Sequence, residues 1–361
     1  MITGNHTDNN LSGIKTALFS FGMSGKIFHA PFLKVNPRYS VTGVLERTHN
    51  LSEGYFPNAK IYRTPEEIWA DDEVELVIIN TPNRTHYEYA LNSLKAGKHV
   101  VVEKPFTITS EEGYTLASVA AEVGKVLTVY HNRRYDSDFR TIRKILAENR
   151  LGEITEAEFR FDRYRLEPGK KLHKEQPGAG TGNLYDLGSH LIDQALVLFG
   201  WPDALFADIE IMRAHSRVDD YFELILMYGN MRVKIHSTYV AVDTLPGYAL
   251  YGTEGAFIKE KTNIQEEQAS QGLMPDNPIW GTEPESEAGM LSLLTPEGIV
   301  RKTVASEKGN YGVFYDELFA AIREGAPAPV TPSEAIDVIR IIEKAYQSNR
   351  EKCVINLKKG D

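Results

Sequence analysis

Lys104 stands where an apolar run meets a proline: Val100, Val101 and Val102 lead directly into Glu103, Lys104 and Pro105. Three consecutive valines read as a strand buried on both faces, the kind found in a parallel sheet covered by helices. Ligands of such sheets bind just beyond the carboxyl ends of the strands, so an ammonium there can grip an oxygen that gains negative charge. Pro105 holds Lys104 extended, and a cis bond at this proline would turn the chain sharply. Taken alone, a Lys-Pro pair is better read as a surface lysine opening a loop. A second set of reactive side chains lies in Gly178 to Asp193, where a glycine-rich loop runs into a helix carrying Asp186, His190 and Asp193. Spacings of four and then three put them on one helical face, beside the apolar Leu187, Leu191, Ala195 and Leu196. Imidazole exchanges protons near neutral pH. Three accounts compete for this cluster, namely an acidic partner for the helix dipole, a histidine that is structural more often than catalytic, and a metal site, and taken alone the structural one is preferred. Metal is the least supported, because no matching His or Cys cluster and no His-Glu-x-x-His motif occurs elsewhere.

The elements that must position these groups fall into two halves. Strand patterns at Ile14 to Ser20, Val41 to Leu45, Glu75 to Ile79, Val100 to Val102 and Val126 to Tyr130 alternate with helical patterns at Pro65 to Ala70, Thr85 to Ala96 and Ser110 to Val123. That alternation predicts a doubly wound parallel α/β sheet with right-handed crossovers. Directly after the first strand the chain reads Ser20-x-Gly22-Met23-Ser24-Gly25, a dinucleotide fingerprint with serine in place of its first glycine. Glycine lets the pyrophosphate approach the backbone, and the following helix offers its free N–H groups to the anion. Glu46 ends the second strand, where an acidic side chain can accept from a ribose diol, while the adjacent Arg47 can pair with the extra phosphate of NADP. The choice between NAD and NADP stays open, as does a plain solvated pair at that strand end.

After Tyr135 the pattern changes. A helix at Phe139 to Glu148 precedes strands at Glu156 to Phe161, Leu205 to Met212, Tyr221 to Met227, Arg232 to Thr238 and Ala249 to Gly252, with a hairpin signal at Tyr228-Gly229-Asn230. The expectation is an α+β domain on an open, largely antiparallel sheet, with helices at Tyr315 to Arg323 and Pro332 to Ser348. The stretch Asn263 to Pro296, rich in Glu, Gln, Gly, Pro and Ser, reads as an irregular excursion serving as a lid or an interface. A domain boundary is expected near residue 135, giving 1–135, with 1–13 as a flexible tail, and 136–361.

Composition agrees with two folded domains: 361 residues exceed what one core accommodates, and 42% are hydrophobic and 25% charged. A formal net charge of -10 disfavours nucleic acid and anionic membrane as partners. No stretch reads as a secretory signal or a membrane span. The single cysteine, Cys353, excludes an intrachain disulfide, and the cytoplasm is the expected location.

Taken together, Glu103-Lys104-Pro105 after a valine strand and Asp186-x-x-x-His190 resemble the glucose-fructose oxidoreductase, inositol dehydrogenase and MocA family. The likeness spans nearly the whole chain, with counterparts for Ser20 to Phe32, Thr81-Pro82-Asn83 with His86, Gly97 to Phe106, His131 to Arg134, Phe161 to Arg165 and Tyr185 to Gln194. Phe28 to Pro31, Tyr130 to Arg134 and Phe161 to Arg165 are most similar to the branch containing NADP-dependent scyllo-inositol dehydrogenases. The resemblance implies an N-terminal Rossmann domain, a C-terminal open sheet that mediates homodimers or homotetramers, and hydride transfer between NAD or NADP and a secondary hydroxyl of a sugar or cyclic polyol. It implies cofactor contacts from Ser20, Gly22, Met23, Ser24, Gly25, Glu46, Arg47, Thr81, Pro82, Asn83, His86, Glu103, Lys104 and Asn132, and no metal. The pattern departs at Ser20, at Tyr135 in place of tryptophan, and at His173-Lys174 in place of Trp-Arg.

On that footing His190 is the expected base for the substrate hydroxyl. Asp186 shares substrate hydroxyls or biases the imidazole, and Lys104 holds the reacting oxygen from the other domain. Arg163, Arg165 and Lys174 are expected to meet hydroxyls or an anionic group, with solvated charges as the plainer account; Asn83 and Asn132 are equally readable as turn residues. Two other functions belong to the same family: a dinucleotide-binding sensor without turnover, and a glycoside hydrolase that uses transient oxidation. The intact Lys104, Asp186 and His190 speak against the sensor.

Overall fold

The computed structural model describes residues 13–167, 169 and 175–358. The expected N-terminal tail, apart from Gly13, and Lys174 with its neighbour His173 lie outside them. Six parallel strands form the first sheet: β1 (Ile14–Leu18), β2 (Tyr39–Leu45), β3 (Lys60–Tyr62), β4 (Leu76–Ile79), β5 (His99–Glu103) and β6 (Leu127–Tyr130), in the order β3-β2-β1-β4-β5-β6. Val100, Val101 and Val102 are fully buried, as are Leu76 to Ile79, because helices cover both faces. The order reverses between β1 and β4, which opens a crevice at their carboxyl ends and makes that edge the place for a ligand.

The second sheet is mixed. Its nine strands run β14-β13-β12-β11-β7-β10-β9-β8-β15. They are β7 (Ile154–Arg160), β8 (Ala204–Glu210), β9 (Tyr221–Tyr228), β10 (Met231–Thr238), β11 (Tyr248–Gly252), β12 (Gly255–Lys259), β13 (Gly289–Thr295), β14 (Gly298–Val304) and β15 (Ile355–Asn356). Only β7 and β10 pair in parallel. One face packs on the helix Ser189–Phe199 through Ala157, Phe159, Ile235, Leu250, Leu191 and Ile192. The other face carries Tyr251, Ile258, Met290 and Leu294 outward, each at least 36% exposed.

The reading of Asn263 to Pro296 as irregular throughout is corrected by the structure. It contains a helix, Ile264–Ser270, and the strand β13, which forms a hairpin with β14. The alternating Met290, Leu291, Ser292 of β13 is only seven residues long and abuts a polar turn, so composition over a wider window hid it. The remainder of the segment is anchored by buried Gln265, Gln268 and Trp280.

The last helices return to the first sheet. Phe314 and Tyr315, from the helix Gly312–Glu324, pack against Tyr130, and Thr128 Oγ1 donates to the Val330 carbonyl at 2.8 Å. The helix Pro332–Glu351 is started by a capping box between Thr331 and Glu334 and buries Ile336, Ile339 and Ile342. Its Glu343 accepts from Ser110 N and Oγ at 2.8 and 2.7 Å, so one C-terminal helix grips the first domain and lies against β8 of the second.

Candidate active site

Lys104 directly follows the buried strand β5, and its peptide bond to Pro105 is cis. The ammonium crosses to the other domain: Nζ donates to the Asp186 carbonyl at 2.7 Å and to its Oδ1 at 3.0 Å. Asp186 lies in a wide π turn, Leu184–Gly188, that opens the helix Ser189–Phe199. Local packing explains this turn. Gly182 has φ +97°, and a Cβ there would collide with the Asp219 carboxylate, which instead accepts from Leu184 N at 2.8 Å. Asn183 is pinned to Ser237 Oγ at 2.9 Å. Such turns expose backbone carbonyls that a regular helix would use, here the one Lys104 takes.

His190 follows in the first turn of the helix proper and is 5% exposed. Burial, with help from the positive charges of Lys104 and Arg133, pushes its pKa well below the usual histidine range, so the ring is neutral and able to accept a proton. Asp193, one turn on, points elsewhere. The fork of Arg134 clamps it, Nη2 to Oδ1 at 2.6 Å and Nε to Oδ2 at 2.9 Å, and Nη1 of the same arginine donates to Glu334 at 2.9 Å. Because Arg134 follows β6, this clamp ties the reactive helix to the first domain. Gln194 Nε2 adds a bond to the Arg133 carbonyl at 3.1 Å.

Glu103, beside the lysine, belongs to the glycine turn. It accepts from Ser24 Oγ, and its Oε1 lies 3.0 Å from His29 Nε2, whose Nδ1 meets Tyr315 Oη at 2.8 Å. Burial pushes this carboxyl up, but the His29 contact, the Ser24 bond and the Lys104 charge outweigh it and hold the pKa down at about 2. The turn is closed across the switch point by Asn80, which follows β4. Ser20 N donates to Asn80 Oδ1 at 2.9 Å, Asn80 Nδ2 to Ser20 O at 2.9 Å, and Ser20 Oγ to Asn80 O at 3.0 Å. The serine that replaces glycine is thus built into the turn. Pro31, which a regular helix would reject, follows a π turn at Gly25–His29 whose wider bond, Ala30 N to Gly25 O, accommodates the missing N–H.

The chain fits a dinucleotide. A cleft of about 370 Å³ is lined by Ser20, Gly22, Glu46, Arg47, Thr81 and Pro82. A Cβ at Gly25 would stand 2.6 Å from the Ser20 carbonyl, while one at Gly22 would meet only Ser20 Oγ at 3.9 Å, leaving backbone open to an anion. Glu46 is 7% exposed, and both its oxygens cap the next loop, accepting from Leu51 N and Ser52 N at 2.8 Å each. Arg47 lies over the cleft with Nη2 on Tyr89 Oη at 2.9 Å. A second cavity, about 280 Å³, is lined by Asn83, Gly180, Asp186, Arg165 and Tyr239, which puts it against Asp186.

Of the residues expected to act, Lys104, Asp186 and His190 converge at the sheet rim, and Ser20 to Gly25, Glu46, Arg47, Thr81 and Pro82 surround or flank the cleft. Met23 is half exposed in the turn. His86 is fully buried, with Nδ1 2.9 Å from the Pro105 carbonyl and Nε2 2.9 Å from that of Thr81, so it braces the two loops. Asn83 Nδ2 donates to Gly180 O at 2.8 Å and ties the glycine-rich loop to the first domain. Asn132 is buried in the turn after β6, and Arg163 stacks over Phe161 with its Cζ 5.0 Å from the ring. Lys174 lies outside the described residues. Sequence reasoning assigned no role to Asn80, His29, His131, Arg134 or Tyr239. Their signal is faint: Asn80 and His131 are polar residues placed directly after buried strands, and the rest depend on tertiary pairing. Among the described residues no group of three or more His, Cys, Asp or Glu could hold a metal.

Residues 14–131 match the oxidoreductase family, NAD-binding Rossmann fold, and residues 143–357 match the oxidoreductase family, C-terminal alpha/beta domain. The chain is 40% identical over 345 residues to scyllo-inositol 2-dehydrogenase (NADP(+)) IolW of Bacillus subtilis, covering 95% of this chain and 96% of that protein. It is 35% identical to the uncharacterized oxidoreductase YdgJ of Escherichia coli, covering 95% and 99%. Its structure is similar to that of the oxidoreductase yvaA of Bacillus subtilis, with a TM-score of 0.94, 39% identity and coverage of 96% and 99%. An oxidoreductase of Bacteroides fragilis matches with a TM-score of 0.88 and 42% identity, covering 96% and 100%. Both halves of the fold, the ammonium at the sheet rim and the dinucleotide cleft beside it therefore have one source: the chain belongs to the Gfo/Idh/MocA oxidoreductase family and is an NAD(P)-dependent dehydrogenase.

Proposed function

We propose that the protein oxidises a secondary hydroxyl of a cyclic polyol or sugar with NADP, and catalyses the reverse reduction with NADPH. The observation that carries this reading is the 3.0 Å contact between Lys104 Nζ and Asp186 Oδ1, which joins the nucleotide domain to the helix bearing His190. When bound, the nicotinamide supplies or accepts the hydride. His190 takes the hydroxyl proton through its neutral ring, a role that general-base catalysis makes worth about 10²–10⁴ in rate. Lys104, held by Asp186, hydrogen-bonds the reacting oxygen and favours the charge it gains. Asp186 accepts from neighbouring substrate hydroxyls. Asn132 and the Thr81-Pro82-Asn83 turn would hold the nicotinamide, and Arg163 and Lys174 would meet substrate hydroxyls or an anionic group.

The preference for NADP rests on Glu46, whose oxygens are occupied by backbone amides, and on Arg47 over the same cleft. The protein works in the cytoplasm as a homodimer or homotetramer. The apolar outward face of the second sheet supports the assembly, and the lone cysteine agrees with the compartment. The test is a titration with both dinucleotides followed by a screen of inositols, sugars and sugar acids for reduced-nicotinamide absorbance. Turnover of a polyol, with tighter binding of NADP that Arg47→Ala weakens roughly tenfold or more, is the expected outcome. Sugar release without net reduction would replace this reading with the hydrolase, and dinucleotide binding with no turnover would replace it with the sensor.

A further inference from the structure

A second imidazole, within electrostatic reach of His190, is left idle by the reaction outlined above. His131 directly follows β6, is 1% exposed, and comes from the opposite domain to His190. Among the described residues, Nδ1 of His131 and Nδ1 of His190 are both buried without a hydrogen-bond partner. Two such orphans in one polar interface are unusual, since buried polar nitrogens are nearly always satisfied by protein or ordered water. His131 Nδ1 is 3.8 Å from Asp193 Oδ2, and Asp193 stands one helical turn beyond His190. Asp193 is itself immobilised by the Arg134 fork, so a carboxylate is fixed beside this ring whatever the substrate does.

We propose that His131 is the second carrier of the catalytic proton, receiving it from His190 through a water hydrogen-bonded to both rings. The inference rests on the dehydrogenase reading. In the oxidative direction the substrate C–H bond breaks and its electron pair leaves as hydride to the oxidised dinucleotide. The O–H bond breaks toward Nε2 of His190, and the C=O bond forms. Nδ1–H of His190 releases its proton to the water, which gives one to Nδ1 of His131. His190 ends neutral, and the charge rests on the His131 imidazolium facing Asp193. The surrounding charges give this path its direction. Lys104 from β5 and Arg133 from the turn after β6 oppose charge on His190, whereas Asp186 favours it. At His131, Asp193 and Glu334 favour charge, while Arg134 and Lys104 oppose it. Burial keeps His131 neutral at rest, at about 4, so it is available as an acceptor.

His131→Asn separates this role from a structural one. The asparagine amide can offer the bridging water a hydrogen bond in place of Nδ1 but carries no titrating proton. We expect kcat to fall about tenfold or more, with KM and dinucleotide affinity within about twofold and a larger solvent deuterium isotope effect. In the protein without dinucleotide, imidazole nitrogen NMR of the unsubstituted chain should show His131 and His190 titrating as a coupled pair. That measurement needs no variant to fold. Independent titration of the two rings, or a folded His131→Asn protein with unchanged kcat and pH profile, would overturn the inference. If His190→Asn stops turnover while His131→Asn does not, the inference alone falls. If His190→Asn keeps full turnover, the dehydrogenase reading falls and takes the inference with it.

Discussion

A buried imidazole that is neutral in the folded state makes stability depend on pH in a known direction. His131 and His99 are both lowered to about 4, His131 chiefly by burial and His99 by burial with the nearby Lys125 and Arg323 charges. Their folded values lie below the unfolded one, so the unfolded chain binds more protons in between. Stability is then fully present above about pH 6.5 and is lost as pH falls toward 4. The upper limit is on the order of 3 kcal/mol for the fully buried His131, and solvent screening makes it smaller for the partly exposed His99. Urea unfolding across that window should show the midpoint dropping with acid, less steeply in His99→Gln; a midpoint independent of pH between 6.5 and 4 contradicts the assignment. At this scale the sequence revealed residue types and not pairings. Lys104, Asp186 and His190 could be singled out only together, through the resemblance of Glu103-Lys104-Pro105 and Asp186-x-x-x-His190 to one family, since each alone has a structural account. His131 and Arg134 could not, because their meaning comes from Asp193, which is about sixty positions away.

Elements set these groups in place through turns of unusual width. The π turns at Gly25–His29 and Leu184–Gly188 each lead into a helix, one after the glycine turn and one carrying His190. Neither was legible, since hydrophobic periodicity records which face is buried and not the extra residue in a turn. The parallel strands were legible because burial on both faces leaves continuous apolar runs. Strands β3, β12, β14 and β15 escaped notice: β3, β12 and β15 are three, five and two residues long, and β14 is almost wholly exposed, so none leaves a buried apolar run. The glycine turn itself makes a sharp prediction. Gly25→Ala would press a methyl to 2.6 Å from the Ser20 carbonyl, and this backbone contact cannot move aside without shifting the Asn80 clamp. Dinucleotide affinity measured by fluorescence titration should fall at least about tenfold while the far-ultraviolet spectrum is retained. Unchanged affinity would show that the turn does not bear the pyrophosphate.

The whole molecule places chemistry at a seam. Neither sheet alone holds the proposed site: the ammonium and glycine turn come from the first, and the carboxylate and imidazole from the helix under the second. The C-terminal helix Pro332–Glu351 fastens the two through Glu343 on Ser110 and Glu334 on Arg134. On the far side, Tyr251, Ile258, Met290 and Leu294 form an outward apolar strip flanked by the Lys234–Glu156–Glu158 charge ladder. Burying that strip between copies predicts that Met290→Lys lowers the molecular mass seen by light scattering, whereas an unchanged assembly would move the interface elsewhere. Whether the seam is the active site is decided most directly by Lys104→Met, which keeps the length of the stem and removes its charge. NADPH affinity and polyol turnover should be measured on the same preparation. Turnover should fall about 10²-fold or more, with NADPH affinity within severalfold of the unsubstituted protein. Turnover close to that of the unsubstituted protein would contradict the account.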